Sequence, residues 1–356
     1  MKRRADPGES SRLAEALTRL RAEIPAVFGT GGPGIITVKR LLRRPHSTIV
    51  WIDVESNGAR RACIVKLPLP AAPGDARRAE KIRARLLADR DNSMRVGELL
   101  AGAGNVQAVR PITCYPDVPA LVTEVFPGEN LSDLLARRGA GRPSATELHR
   151  LETAFHAAGA WARAFQERTA VPAGRFSLEA MCAYVDIRLR RLQEAPGATL
   201  DSETRHRILR QFDRAQHEAP EESLHVAAIH GDFALSNILW DGAHIAVVDF
   251  STMRLGSVFH DLTRVHHQLE LFLRKLTHAS RTIQAVRQAF WQGSGRAPDE
   301  TNPVIALHLL QHIVTHWLGH LRERRGPGAN IYAAWVRHHH RREVFRLLGL
   351  LERNAL

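Results

Sequence analysis

A loop of polar residues at fixed spacing, held between two short apolar runs, constrains this chain more than anything else in it. The loop reads His230-Gly231-Asp232-Phe233-Ala234-Leu235-Ser236-Asn237, and Asp249-Phe250 follows twelve residues after the asparagine. Leu224 to Ile229 leads into the loop and Ile245 to Val248 leads into Asp249. Both runs have strand length, so the polar groups are expected at strand ends, where backbone is rigid. In-line phosphoryl transfer needs a carboxylate that orients and deprotonates the acceptor hydroxyl, and oxygen ligands that hold Mg²⁺ against the phosphates. Asp232 suits the first task; Asn237 and Asp249 suit the second. The bland alternative is a surface loop backed by a buried strand.

With His-Gly-Asp, then Asn237-Ile238-Leu239, then a strand ending in Asp249-Phe250, the chain resembles the aminoglycoside phosphotransferase-like kinases. These form a branch of the protein-kinase-like fold that also contains choline, homoserine, fructosamine and sugar kinases. The resemblance implies an α+β, two-lobed fold that uses ATP and Mg²⁺. It would comprise an N-terminal arm with a short helix over residues 1–34, a small β-rich lobe over 35–126 that binds nucleotide, and a larger helical lobe over 127–356 that carries the catalytic loop and the acceptor site.

The N-terminal half supplies matching parts. Ile35 to Lys39, Thr48 to Val54 and Arg61 to Leu67 are β-branched segments separated by Arg43 to Ser47 and by Ser56-Asn57-Gly58, the pattern of a three-stranded meander. Lys66 ends the third strand, where a kinase lysine pairs with the donor phosphates; alone, it would read equally as a solvated strand-end lysine. Ala120 to Leu131 resembles the family's last upper-lobe strand and hinge, which implies adenine contacts from the backbone of Glu124 to Phe126. The loop over the phosphates would be Arg43 to Ser47, which lacks glycine and departs from the protein-kinase pattern, with Ser47, backbone amides and the two arginines as candidate contacts. The acidic partner of Lys66 stays open: Asp75 to Leu100 offers Glu80, Asp89, Asp91 and Glu98, and the family's apolar positions favour one of the aspartates.

Gly29-Thr30-Gly31-Gly32-Pro33-Gly34 matches a G-x-G-x-x-G pattern literally, but context argues against a dinucleotide or phosphate loop. A dinucleotide loop should follow a strand and open a helix, and a kinase glycine loop should lie between the first two strands, whereas this stretch precedes the strand-like Ile35 to Val38 and is far upstream of Lys66. It is expected to be a flexible lead into the domain. Ser10 to Ile24 reads as a short amphipathic helix of unknown use, and the first nine residues as disordered.

A chain of 356 residues suits two lobes, and its 44% hydrophobic content is enough for both cores. Cys63, Cys114 and Cys182 are widely spaced and odd in number, which points to free buried thiols in a reducing compartment, hence the cytoplasm. Basic Met1 to Arg4 is not followed by the apolar core of a signal peptide, and no run approaches the ~18 apolar residues of a membrane span. The protein is expected to be soluble.

After the hinge the sequence turns helical. Leu131 to Arg138, Ala145 to Gln166, Leu178 to Gln193, Glu203 to Glu218, Leu262 to Leu276, Arg281 to Gln292, Pro303 to Arg324 and Ile331 to Leu351 carry apolar residues at three and four spacing, and Pro143, Pro172, Pro196 and Pro220 lie near helix ends. Asp261 matches the family's aspartate that accepts hydrogen bonds from the catalytic-loop backbone, and reads equally as a helix N-cap.

Charge bears on the acceptor. The chain carries formal +13, and residues 257–356 hold fourteen Arg or Lys against seven Asp or Glu. A polycation is therefore a poor fit, and a neutral or anionic acceptor a better one. Nucleic acid is disfavoured because no recognition motif accompanies the charge. Four histidines, His308, His312, His316 and His320, fall at steps of four. Adjacent pairs could chelate a metal, but the stripe turns about 40° per step on a 3.6-residue helix, so all four cannot meet one ion; a partly buried polar face or an acceptor-binding wall is the alternative. Arg337 to Arg342 reads as a solvated helix edge that could dock on acidic lipid. The function expected is an ATP-dependent kinase of a sugar or glycan-related hydroxyl, with an antibiotic kinase and a nucleotide-binding pseudokinase as alternatives. Oligomeric state is left open.

Overall fold

Apolar residues at helical spacing of four start the N-terminal core. In this computed structural model, which describes residues 7–30, 32, 34–195, 200–275, 277–322 and 327–353, helix α1 spans Pro7–Phe28. It buries Ala16, Leu20, Ile24 and Phe28 in a cluster with Val50, Ile52, Val54, Val65, Leu67 and Val122. Fully burying Leu20 or Ile24 contributes ~2 kcal/mol each. The helix expected over Ser10 to Ile24 is thus longer at both ends, and residues 7–9, expected to be disordered, lie within it. Met1 to Arg4, Gly31, Pro33, Pro196, Leu276 and Arg324 lie outside the described residues.

The strands follow from alternation. Strand β1 (Ile35–Arg43) pairs antiparallel with β2 (Ser47–Ser56), and β2 with β3 (Ala59–Pro68). Thr48, Val50, Ile52 and Val54 alternate inward on β2. Asn57 and Gly58, at φ 50° and 76°, supply the left-handed pair a two-residue hairpin needs. After α2 (Ala76–Leu99) come β4 (Val106–Ala108), β5 (Pro111–Tyr115), β6 (Ala120–Glu124) and β7 (Glu129–Asn130). The main sheet has the order β1-β2-β3-β6-β5.

Helices then dominate: α3 (Leu131–Arg138), α4 (Ala145–Thr169), α5 (Glu179–Glu194) and α6 (Ser202–Glu218). Strands β8 (Val226–Ile229), β9 (Ile238–Trp240), β10 (Ile245–Val247) and β11 (Arg254–Ser257) bracket the motif. They are followed by α7 (His260–Leu273), α8 (Ser280–Ser294), α9 (Pro303–Arg322) and α10 (Pro327–Arg353). Strands β4, β10, β9 and β7 form a second sheet, and β11 pairs with β8. Helices α4 and α8 cross at Gly159 and Gly293, where an added Cβ would lie 2.0 Å from a carbonyl oxygen of the other helix. Only glycine permits that approach.

The chain divides into two compact units, Met1–Asp133 with Ser236–Met253, and Leu134–Leu235 with Arg254–Leu356. The first holds the five-stranded sheet and the β9–β10 hairpin; the second is helical apart from β8 and β11. The expected α+β class, with a β-rich N-terminal part and a helical C-terminal part, is what the structure shows. Among the described residues no helix is long and apolar enough to cross a membrane.

Candidate active site

In the first unit, the end of β3 gathers charge. Lys66 Nζ lies 2.9 Å from Asp89 Oδ2 and 2.9 Å from Asp249 Oδ2. Asp89 is 3% exposed on α2, and its Oδ1 accepts a 2.8 Å hydrogen bond from the Phe250 backbone N–H. One turn on, Asn92 Nδ2 donates to the Phe250 carbonyl at 3.0 Å, so α2 holds the backbone N–H and the C=O of Phe250 alike. This settles the partner of Lys66. Asp91 is turned away and paired with Arg90, Glu80 faces Arg83, and Glu98 is exposed; two residues further along a helix point to the opposite side.

Burial opposes the charge on Lys66, but the carboxylates of Asp89 and Asp249 outweigh it and hold the ammonium above its usual pKa. Burial also lifts the Asp89 carboxyl, against the pull of Lys66. Nζ is at contact distance from two carboxylates, and the ammonium gives each of them a charge-assisted hydrogen bond, the stronger kind.

Asp249 sits at φ 71°, a left-handed conformation uncommon outside glycine and concentrated at functional sites. Its Oδ1 accepts from Ser251 Oγ at 2.9 Å. The Asn237 carbonyl accepts from the Val248 N–H at 3.0 Å, and Ile238 pairs with Val247, so the open end of the β9–β10 hairpin sets Asn237 beside the residue preceding Asp249. Carboxylate and amide oxygens are hard donors of the kind Mg²⁺ takes. The donor set fits that ion.

The β1–β2 turn is short: Arg44 N–H donates to the Ser47 carbonyl at 2.8 Å, and Ser47 begins β2. Arg43 does not serve this turn. Its Nε is held by Glu9 of α1 at 3.0 and 3.2 Å, leaving exposed Arg44 and half-buried Ser47 at the tip. Glu124 ends β6 with its N–H donated to Arg110 O at 3.0 Å, and Phe126 follows two residues later, half-buried. The glycine-rich stretch is anchored where described: Ser56 Oγ donates to Thr30 Oγ1 at 2.9 Å, and a Cβ on Gly34 would lie 2.7 Å from Ile24. Gly34 is thus a packing requirement, in contrast to the flexible lead expected.

In the second unit, the motif loop is fixed from α7. His230 N–H and Gly231 N–H donate to Asp261 Oδ2 and Oδ1 at 2.6 and 3.1 Å. Asp261 therefore serves the loop, and α7 has no side-chain cap at its N-terminus. Leu235 N–H donates to Gln268 Oε1 at 2.8 Å, and Trp161 stacks on Phe233 at 5.4 Å. The Asp232 N–H donates to His230 Nδ1 at 3.2 Å, which puts any ring proton on Nε2. Asp232 itself stays half exposed, with Arg264 Nη2 3.2 Å from its Oδ1. Arg264 and Gln268 escaped sequence reasoning, yet Asp261, Arg264 and Gln268 stand at i, i+3 and i+7, one helix face. That spacing was the available signal.

The four-step histidines part company. His312 Nε2 approaches His260 O and Thr263 Oγ1 at 3.1 and 3.2 Å; His308 lies beside Phe176 and His260; His316 faces His340 and His320. Nor is Arg337 to Arg342 a uniformly solvated edge, because His339 and His340 are buried while His338, Arg341 and Arg342 are exposed. Of the thiols, Cys63 is buried and Cys114 and Cys182 are half-buried, all free.

Residues 50–303 match the sequence profile of the family described as "Phosphotransferase enzyme family". No curated protein matches the chain. Among solved structures, a candidate aminoglycoside phosphotransferase from Ralstonia eutropha JMP134 is similar with TM-score 0.59 and 15% identity, covering 97% of this chain and 98% of that one. Choline kinase from Cryptosporidium parvum Iowa II is similar with TM-score 0.55 and 12% identity over 96% and 99%. The amicoumacin kinase hAmiN, solved in complex with AMP-PNP, Ca²⁺ and Ami, has TM-score 0.52 and 13% identity over 96% of both chains. At these identities the likeness is one of fold.

Proposed function

We propose, from the premise that the chain belongs to the phosphotransferase enzyme family, that it moves the γ-phosphoryl group of ATP to a hydroxyl of a small neutral or anionic acceptor, sugar or glycan-related. The observation that carries this reading is the contact of Lys66 with Asp89 and Asp249 at 2.9 Å each. It sets an ammonium and a carboxylate side by side, one for donor phosphates and one for a metal ion. A nucleotide-binding scaffold without turnover would have no need of Asp232 as well.

In this reading Lys66, Ser47 and the backbone of Glu124 to Phe126 bind the nucleotide, and Asn237 and Asp249 hold Mg²⁺. When bound, the ion neutralises charge on the donor phosphates. Asp232 accepts the acceptor's hydroxyl proton, as its half-exposed carboxylate allows. Asp261 holds the two amides before Asp232 so that the carboxylate need not be ordered at each turnover. Residues 35–126 and 127–356 serve as nucleotide-binding and acceptor-binding lobes in the same reading.

Arg264 supports the character of the acceptor. A guanidinium 3.2 Å from Asp232 favours an acceptor bearing oxygen or negative charge and repels an ammonium at the reacting end. Three of the acidic groups of residues 257–356 are already engaged, since Glu343, Glu270 and Glu300 pair with Arg274, Arg287 and Arg346, which leaves fewer carboxylates for a cationic acceptor. The three reduced thiols and the need for ATP favour the cytoplasm. The exposed His338, Arg341 and Arg342 are the group that would touch an anionic membrane.

An ATP-consumption assay across neutral sugars, phosphosugars, amino alcohols and aminoglycosides, at low and high salt, tests the reading. Turnover of a neutral or anionic sugar is expected. Efficient aminoglycoside phosphorylation that falls as salt rises would instead place an antibiotic kinase first, and no turnover of any acceptor would favour the scaffold.

A further inference from the structure

Three helices distant in sequence bring imidazoles together within the C-terminal unit. His267 on α7, His316 on α9 and His340 on α10 each offer a ring nitrogen such that all three atoms lie within 4.8 Å of one another. His316 Nδ1 is 2.8 Å from His340 Nε2, and the His267 ring centre is 5.5 and 5.4 Å from theirs. A tetrahedral ion with Zn–N bonds of ~2.0–2.1 Å keeps its nitrogens ~3.3 Å apart, so these rings need only small movements to share one. A hydrogen bond between neutral imidazoles would account for His316 and His340 without any ion. It would not account for His267, which is 3% exposed and whose shielded Nε2 has no hydrogen-bond partner among the described residues; buried polar atoms seldom stay unmet without an ion or water.

The surroundings agree. His320 Nε2 lies 3.2 Å from His316 Nε2, so a His316 that ligates through Nδ1 can donate its Nε2–H to His320, the outer contact that fixes a ligand's tautomer. Imidazole donors without carboxylates suit zinc and its neighbours and not Mg²⁺ or Ca²⁺, so this cluster is chemically distinct from the Asn237 and Asp249 oxygens. We propose that His267, His316 and His340 bind one zinc-class transition ion that clips α7, α9 and α10 together.

The test uses the full chain, stripped with chelator and then dialysed against Zn²⁺ or Co²⁺ in excess Mg²⁺. Mass spectrometry of metal content should give about one ion per chain, and cobalt should show the visible bands of tetrahedral nitrogen ligation, displaced by zinc. At free Zn²⁺ 100-fold above its dissociation constant the melting temperature of this 356-residue chain should rise by ~4 °C. His267→Gln and His340→Gln should each weaken binding at least tenfold, whereas His308→Gln, a buried histidine outside the set, should not. Should the first two variants fail to fold, the cobalt bands and zinc displacement in the wild type decide the matter. Absence of stoichiometric uptake by the wild type, or undiminished affinity in both variants, overturns the proposal.

Discussion

Asp89 reaches Lys66 with one carboxylate oxygen at 2.9 Å and the Phe250 amide with the other at 2.8 Å. A single buried side chain on α2 thus positions both the lysine and the backbone next to Asp249. The lysine partner is therefore also a support for the candidate metal ligand, and its loss should disturb two functions at once.

Asp89→Ala is expected to cost about 3 kcal/mol of stability, the usual penalty for removing one member of a buried ion pair. It should also lower turnover by weakening the hold on Lys66 and Asp249. Asp89→Asn keeps an oxygen for the Phe250 N–H and should recover part of the stability while staying slow. Urea unfolding of the two variants separates these effects; equal stability of both with the wild type would mean that the contact contributes nothing.

Asp232→Asn should reduce kcat by about 10² to 10⁴, the contribution of a positioned general base, while leaving nucleotide affinity close to wild type. Arg264→Met should act differently, raising the acceptor's KM more than it lowers kcat, because the guanidinium touches the carboxylate without taking a proton. Steady-state kinetics on the acceptor identified by screening gives both parameters. Near wild-type kcat in Asp232→Asn would remove this residue from its role.

Asp249→Ala and Asn237→Ala should both weaken Mg²⁺-dependent nucleotide binding, the aspartate more strongly because it carries charge. Asp249→Ala also relieves Lys66 of one of its two carboxylates, so binding of metal-free nucleotide should change little or improve slightly. Calorimetric titrations with and without Mg²⁺ read the difference. Identical metal dependence in Asp249→Ala and wild type would contradict the assignment.

Acid should unfold the protein through its buried imidazoles. Burial lowers the pKa of His266 and of His308 to about 3, whereas in the unfolded chain each titrates near ~6.5. Above the unfolded value both states are neutral and stability is full. As pH falls below it, only the unfolded chain takes up protons, so stability drops by ~1.4 kcal/mol per pH unit for each histidine until the folded value is reached. His308 faces His260, Arg254 and Gln311, none of which would neutralise an imidazolium. In His308→Gln the slope of unfolding free energy between pH 6.5 and 5 should flatten by ~1.4 kcal/mol per unit, whatever its absolute stability.

What the sequence by itself determined was local and periodic. Alternation on Thr48 to Val54, the three and four spacing of Leu131 to Arg138, and the strand–loop–strand frame of Asp232, Asn237 and Asp249 all appear in the structure where the pattern put them, because a residue's face on a strand or helix depends only on its near neighbours. Tertiary structure decided the pairings. Asp89 and Asp91 have the same chemistry in one helix, and only the packing of α2 against β4, β5 and Phe250 chose Asp89. Arg43 could face a phosphate or a helix until α1 brought Glu9 to it. His316 sat in a stripe of four equals until α7 and α10 supplied His267 and His340. Such choices depend on where segments remote in sequence meet, and no local periodicity carries that information.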